Sequence, residues 1–165
     1  MATPILTPGD IQHALLKLLL AYALALPIGW LRESRGSTAG LRTFPLVAVA
    51  SCGYTLLGIA VSGTNADAEA RVLAGLMTGM GFIGGGAIVK DERAVHGSST
   101  AAAIWSTGVV GASVAYEQTY VALAVVAITA LTFLVLTPIA RRLRRAVPEG
   151  QEAPEPSSRG PSDPR

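Results

Sequence analysis

The chain has 165 residues, within the usual size of one domain, yet half of it is hydrophobic and only 15% is charged, against about a quarter in soluble domains. Its net charge is +2 and it holds a single cysteine, Cys52, which excludes an internal disulfide or a Cys-rich metal site and gives no case for nucleic acid as a partner. Positions 43–66, 72–89, 94–116 and 118–140 carry no charged residue, and runs of that length match the roughly 20 apolar residues an α-helix needs to cross a bilayer core.

The composition therefore predicts an all-α fold: a polytopic membrane helix bundle with five transmembrane helices. The first span is expected over residues 11–31, after a polar N-terminal stretch in which Asp10 serves as N-cap. Lys17 lies within its early turns, where a long side chain can carry its ammonium back to the nearer interface. The second span covers 44–61, capped by Thr43 with Pro45 in its first turn. The third covers 72–89, the fourth 100–115 and the fifth 119–140. Residues 1–145 thus form one transmembrane domain, and 146–165, with five prolines and no aromatic residue, read as a disordered cytoplasmic tail.

Orientation follows from the Lys and Arg of the short connections. Arg32, Arg35 and Arg42 follow the first span, Lys90 and Arg93 the third, and Arg141, Arg142, Arg144 and Arg145 the fifth. The other side holds Lys17 and Arg71. The N-terminus is accordingly expected outside and the C-terminus in the cytoplasm.

In the third span Gly75, Gly79 and Gly86 share one helical face, and Gly81, Gly84 and Gly85 line a second. The fourth is similarly rich in Ala, Gly and Ser, whereas the fifth is built from Val, Leu, Ile and Phe. Small residues let helices approach closely in a membrane, so the third and fourth spans are expected at the crowded centre and the fifth against lipid. A sharper reading makes Gly84-Gly85-Gly86 an unwound segment whose carbonyls line a polar cavity.

Enzymatic chemistry is not indicated. No HExxH, GxxxxGK[ST] or G-x-S-x-G element is present, and the GxGxxG match at Gly79–Gly84 lies inside an apolar span with no preceding strand. His13 and His96 have no second ligand at metal spacing on the same face. The spans contain no Asp or Glu, which argues against an autonomous cation carrier. Neither a cofactor nor a metal is expected.

What remains is a polar constellation in two loops, 29–43 and 89–100, each mixing both charge signs. Gly29, Arg32, Glu33, Gly36, Ala39, Gly40, Leu41, Arg42 and Thr43 form the first motif. Gly79, Gly81, Phe82, Ile83, Gly84, Gly86 and Ile88, followed by Gly97, Ser99, Thr100, Ala101, Ala102 and Trp105, form the second. Both resemble the signatures of the MgtC/SapB family of bacterial inner-membrane proteins, and the resemblance extends over Leu15–Leu136. Leu31 stands where the family has the first Glu of E-R-E, Phe44 where a His follows R-T, and Ser99 where the first Thr of a T-T pair is usual.

The resemblance implies a multi-pass protein of the bacterial inner membrane. It also implies a regulatory or interaction role in adaptation to low magnesium, acid or the intracellular host environment. For some members it implies an inhibitory contact with the membrane sector of the F-type ATP synthase. Longer members carry a further soluble C-terminal domain, for which no counterpart is expected here. Membrane lipid, another membrane protein such as that ATP synthase sector, and a homo-oligomer are the partners to consider. The alternative function is a small oligomeric channel or permease for an ion such as Mg²⁺, its path running along the glycine-rich third span. Within the polar constellation, Glu33 is expected to sit between the N-terminus of the fourth helix and Arg32 or Arg42.

Overall fold

The computed structural model describes residues 8–90 and 95–146. Helix α1 runs Pro8–Glu33, α2 Thr43–Ser62, α3 Ala66–Gly86 and α4 Ser98–Ala115. Helix α5 runs Thr119–Leu131, passes through a π turn at Thr132–Leu136 and continues as α6, Thr137–Ala146. Among the described residues these make five helical rods, the last of them α5, the π turn and α6 together. Three stretches, Pro8–Glu33, Thr43–Ser62 and Thr119–Ala140, are long and apolar enough to cross a membrane. Helices α3 and α4 fall outside that group: α3 carries Asp67, Glu69 and Arg71 in its first turns, and both hold many glycine, alanine or hydroxyl residues.

Several boundaries differ from the sequence-based expectation for local reasons. Asp10 lies inside the first turn of α1, which begins at Pro8, the ring fixing φ where no N–H is needed. Thr43 is the first residue of α2 and Arg42 occupies the capping position with no side-chain cap bond. Helix α3 begins earlier, at Ala66, because Asn65 caps it by accepting the Ala68 N–H at 3.1 Å. It also ends earlier, at Gly86. Val89–Lys90 pairs instead with Val95–His96 as a short antiparallel hairpin, β1 and β2. Three consecutive glycines are weak helix formers, and the valines beyond them favour extended backbone. Gly84, Gly85 and Gly86 nevertheless stay within α3, so no unwound segment interrupts it. The tail at 147–165 lies outside the described residues.

Helix α4 is the centre of the bundle. It packs against α1, α2, α3 and α5, and its buried residues run from Thr100 to Ala115 around most of its circumference. Backbone contact at Gly111 explains the closeness to α2, since a Cβ there would meet Cys52 N at 2.9 Å and overlap the Ala48 carbonyl. The core is completed by Ala21, Ala25 and Ile28 of α1, Phe44, Val47 and Ala48 of α2, Ala122 and Val126 of α5, and Phe133 of the π turn.

Helix α3 does not share that centre, which corrects the expectation that both small-residue spans, the third and the fourth, form it. Its buried residues are Met80 and Gly84. Met80 fills the notch left by Gly108, and Gly84 rests on Ala101 O, 3.3 Å from where a Cβ would be. By contrast Gly75, Gly79, Gly81, Gly85 and Gly86 have nothing within 4 Å of a Cβ position. Phe82, 86% exposed, projects from the same outward side.

The π turn has an identifiable cause. Pro138 has no N–H for the carbonyl of Leu134, and its ring crowds that carbonyl, so the preceding turn widens. A widened turn frees carbonyls from the regular ladder for donors outside the helix.

Candidate functional site

The two sequence motifs meet at one end of the bundle through Arg32, in the last turn of α1. Its Nη2 donates to Ser37 Oγ at 2.7 Å and also to Thr100 Oγ1, at the start of α4. The guanidinium carbon lies 4.8 Å from the centroid of the Phe133 ring, within cation–π range. One side chain thus ties the α1–α2 loop, the N-terminus of α4 and the π turn of the last rod. Arg35 Nη1 donates to the Phe133 carbonyl, which the π turn has left available.

Glu33 does not take the expected place between α4 and an arginine. Its Oε2 accepts the Leu41 N–H at 3.1 Å, and it forms no ion pair with Arg32 or Arg42. The chain turns back on itself immediately after Glu33: Gly36 has φ +72°, Gly36 N–H donates to Glu33 O at 3.0 Å and Ser37 N–H to Arg32 O at 3.1 Å. The nearest donor to the Glu33 carboxylate is consequently a loop amide. Gly40 is buried against that carboxylate and Gly29 against the returning loop, where a Cβ would lie 3.1 Å from Leu41 Cα. Both glycines exist for close approach.

The remaining motif residues divide between this hub and the surface. Ala39 packs partly buried on the core, Arg42 is exposed, and Thr43 opens α2. Gly97, with φ +85°, forms the left-handed turn before α4 and faces Ala87 O, so that a side chain there would be both strained and obstructed. Thr100 is buried, Ser99 exposed, Ala101 in contact with Gly84 and Ala102 exposed. Trp105 lines an apolar cleft of about 310 Å³ between α3 and α4, with Leu76, Met80 and Gly108. Gly79 lines a second cleft, of about 460 Å³, between α2 and α3. Gly79, Gly81, Phe82 and Gly86 therefore do not join the hub.

Arg35, Ser37 and Phe133 belong to the hub although neither sequence motif includes them. Pro138 is the signal that points toward Phe133, because it marks where a helix must give up a regular hydrogen bond. The opposite end of the bundle is also only half legible in the sequence. Lys17 extends to the C-terminal end of α4, where Nζ donates to Glu117 Oε1 at 2.9 Å and to Ala115 O at 3.2 Å. A cation on the last carbonyls of α4 is favourably placed for the helix dipole. Glu117 holds φ +63°, with its N–H donating to Val114 O and Gln118 N–H to Ser113 O, the double closure usually built with glycine. Lys17 holds the Glu117 carboxyl below the usual range by hydrogen bonding and by charge.

Between the two ends five hydroxyls are bound within their own helices, while Ser51 Oγ of α2 donates to Met80 Sδ of α3 at 3.8 Å. Thr55, Thr78, Ser106, Thr107 and Thr132 each donate to the carbonyl four residues back. Among the described residues no group of His, Cys, Asp and Glu is placed to hold a metal ion.

A helical bundle with long apolar rods, charged side chains networked at its two ends and hydroxyls bonded back to their own helices at Thr55, Thr78, Ser106, Thr107 and Thr132 is a membrane protein. The chain belongs to the MgtC family, whose sequence model matches residues 18–142. It is 36% identical over 119 residues to the protein SrpB of Synechococcus elongatus, covering 65% of each chain. It is 33% identical over 131 residues to the protein MgtC of Salmonella typhimurium, covering 79% of this chain and 55% of that one. With the protein MgtC of Brucella abortus it shares 40% identity over 91 residues, or 55% of this chain and 37% of the relative. The chain spans about half the length of the curated relatives it matches. No solved structure matches it.

Proposed function

We propose that this chain is a regulatory or interaction protein of the bacterial inner membrane, crossing it five times and serving adaptation to low magnesium, acid or intracellular host stress. Family membership supports the class, and one feature of the fold carries the reading. The bundle fills its own centre with α4 while leaving the small-residue face of α3 uncovered. Such a chain offers a surface to another membrane protein. The membrane sector of the F-type ATP synthase is the partner to test first. Affinity purification in mild detergent, with identification of co-purifying membrane subunits, is the test, and the expected outcome is a stoichiometric partner lost when bulky residues replace Gly79 and Gly86. Retrieval of this chain without any partner would overturn the reading.

In the proposed orientation the Arg32 end faces the cytoplasm and the Lys17–Glu117 end the outside, following the Lys and Arg asymmetry. Reporters fused after Arg42, Arg93 and Arg145 should read cytoplasmic, and those near Ala66 and Gln118 external. The second reading, an oligomeric channel or permease for an ion such as Mg²⁺, draws on the same outward glycines, which would line a path only between copies. Ion flux in proteoliposomes holding this chain alone would favour it over regulation.

A further inference from the structure

The Arg32 end contains more positive charge than the chain's own described acids balance. Two guanidiniums converge on one residue, Phe133: Arg32 stacks on its ring and Arg35 bonds its carbonyl. Every acceptor they use is neutral, namely the hydroxyls of Ser37 and Thr100 and the Phe133 carbonyl. Arg32 Nε is buried with no partner, so this guanidinium is not saturated. Among the described residues neither arginine pairs with a carboxylate, and Glu33, the adjacent acid, is committed to the Leu41 amide. Arginine's planar fork suits bidentate capture of a tetrahedral oxyanion. The hydroxyl that Arg32 holds belongs to the first turn of an 18-residue helix, α4, whose free N–H groups add partial positive charge. Trp30, exposed just before Arg32, sets the depth, since exposed tryptophans mark the headgroup level of a bilayer.

We propose that Arg32 and Arg35, held over the π turn and beside the start of α4, form a binding site for a phosphate group. Its sources are the headgroup of an anionic phospholipid or free inorganic phosphate. The site differs from diffuse attraction of a basic surface to anionic lipid because it is built from two side chains fixed by Phe133, Ser37 and Thr100.

The test uses the full chain in detergent. Phosphatidylglycerol, phosphatidylcholine and inorganic phosphate are titrated separately at constant ionic strength, and thermal unfolding and native mass spectra are recorded. Phosphatidylglycerol is expected to raise the unfolding temperature saturably and to remain bound in the spectrometer, while phosphatidylcholine does neither. A matching rise with inorganic phosphate assigns the site to a free anion as well, and its absence assigns it to lipid. Arg35→Gln should weaken the apparent affinity about tenfold or more, the loss of a charge-assisted contact. Arg142→Gln, at an exposed arginine on the last helix, should change it no more than about twofold. Arg32→Lys keeps the charge and loses the fork, and should fall near Arg35→Gln even where Arg32→Ala fails to fold. Equal losses in Arg35→Gln and Arg142→Gln would reduce the effect to general charge and overturn the proposal. So would the absence of any saturable rise with either phosphate probe.

Discussion

Helices α3 and α4 are both rich in small residues, α3 chiefly in glycine and α4 chiefly in alanine and hydroxyl residues, and the fold treats them in opposite ways. Helix α4 is enclosed by four neighbouring helices and held at both ends by cations from α1: Arg32 on Thr100 at its start and Lys17 on Ala115 O at its end. Helix α3 leans on the bundle along one line, Met80 and Gly84, and turns most of its glycines outward. The difference teaches that small residues permit close packing without specifying it. What selects the central helix is whether its neighbours' side chains and backbones arrive at both of its flanks.

The strongest way to break this comparison is to load the two helices with the same bulk. Gly111→Leu places a side chain on the Ala48 carbonyl and the Cys52 amide, where backbone cannot step aside. It should cost roughly 3 kcal/mol or more, seen as lost folded protein in detergent unfolding assays. Survival of that variant with normal stability would mean that α4 is not the packed centre.

Next in size is the pin at the start of α4. Arg32→Ala removes bonds to Ser37 and Thr100 and the stacking on Phe133, and should destabilise by about 2–3 kcal/mol. A double-mutant cycle between Arg32 and Thr100 should show coupling, whereas one between Glu33 and Thr100 should be additive, because Glu33 is bonded to the Leu41 amide. The reverse pattern would restore Glu33 as the acid at the helix terminus.

The pin at the far end of α4 is weaker and responds to pH. Since Lys17 lowers the Glu117 pKa in the folded chain, the pair's contribution is present above the ordinary glutamate value of about 4.3 and is lost as pH falls through the lower folded value. Unfolding temperature should therefore decline on acidification through that window, and Glu117→Gln should flatten the decline. A slope identical in the variant would show that another carboxylate controls it.

Smallest of all should be alanine on the outward face of α3. Gly79→Ala and Gly85→Ala meet no atom within 4 Å and should be neutral, or stabilising by up to about 1 kcal/mol through helix propensity. A clear loss of stability in the isolated chain would place a partner or a second copy on that face even in detergent.

Much of this molecule is legible in its amino-acid sequence. Uncharged runs at 43–66, 72–89, 94–116 and 118–140 dictate helices because a bilayer admits no unpaired backbone, so length and polarity suffice. The glycines of the first motif are legible too. Gly29 and Gly40 sit where the loop returns onto α1, and a turn of this kind is local enough for sequence to announce. The hub's membership is only partly readable. Arg32 and Thr100 belong to the sequence motifs, but Arg35, Ser37 and Phe133 join them through a side chain's reach across three elements, which no periodicity records.

Sequence by itself determined the class of solvent, the number and rough extent of the helices, and the concentration of arginine beside particular ends, because each depends on the residues of one segment and the medium around it. Tertiary structure alone decided which small-residue helix lies inside, where Glu33 spends its charge, and that a proline-induced π turn hands a carbonyl to Arg35. Those outcomes depend on which groups the packed helices and loops bring within hydrogen-bonding distance. For Glu33 the partner is an amide eight residues along a tight loop, and for the arginines it is the other end of the chain.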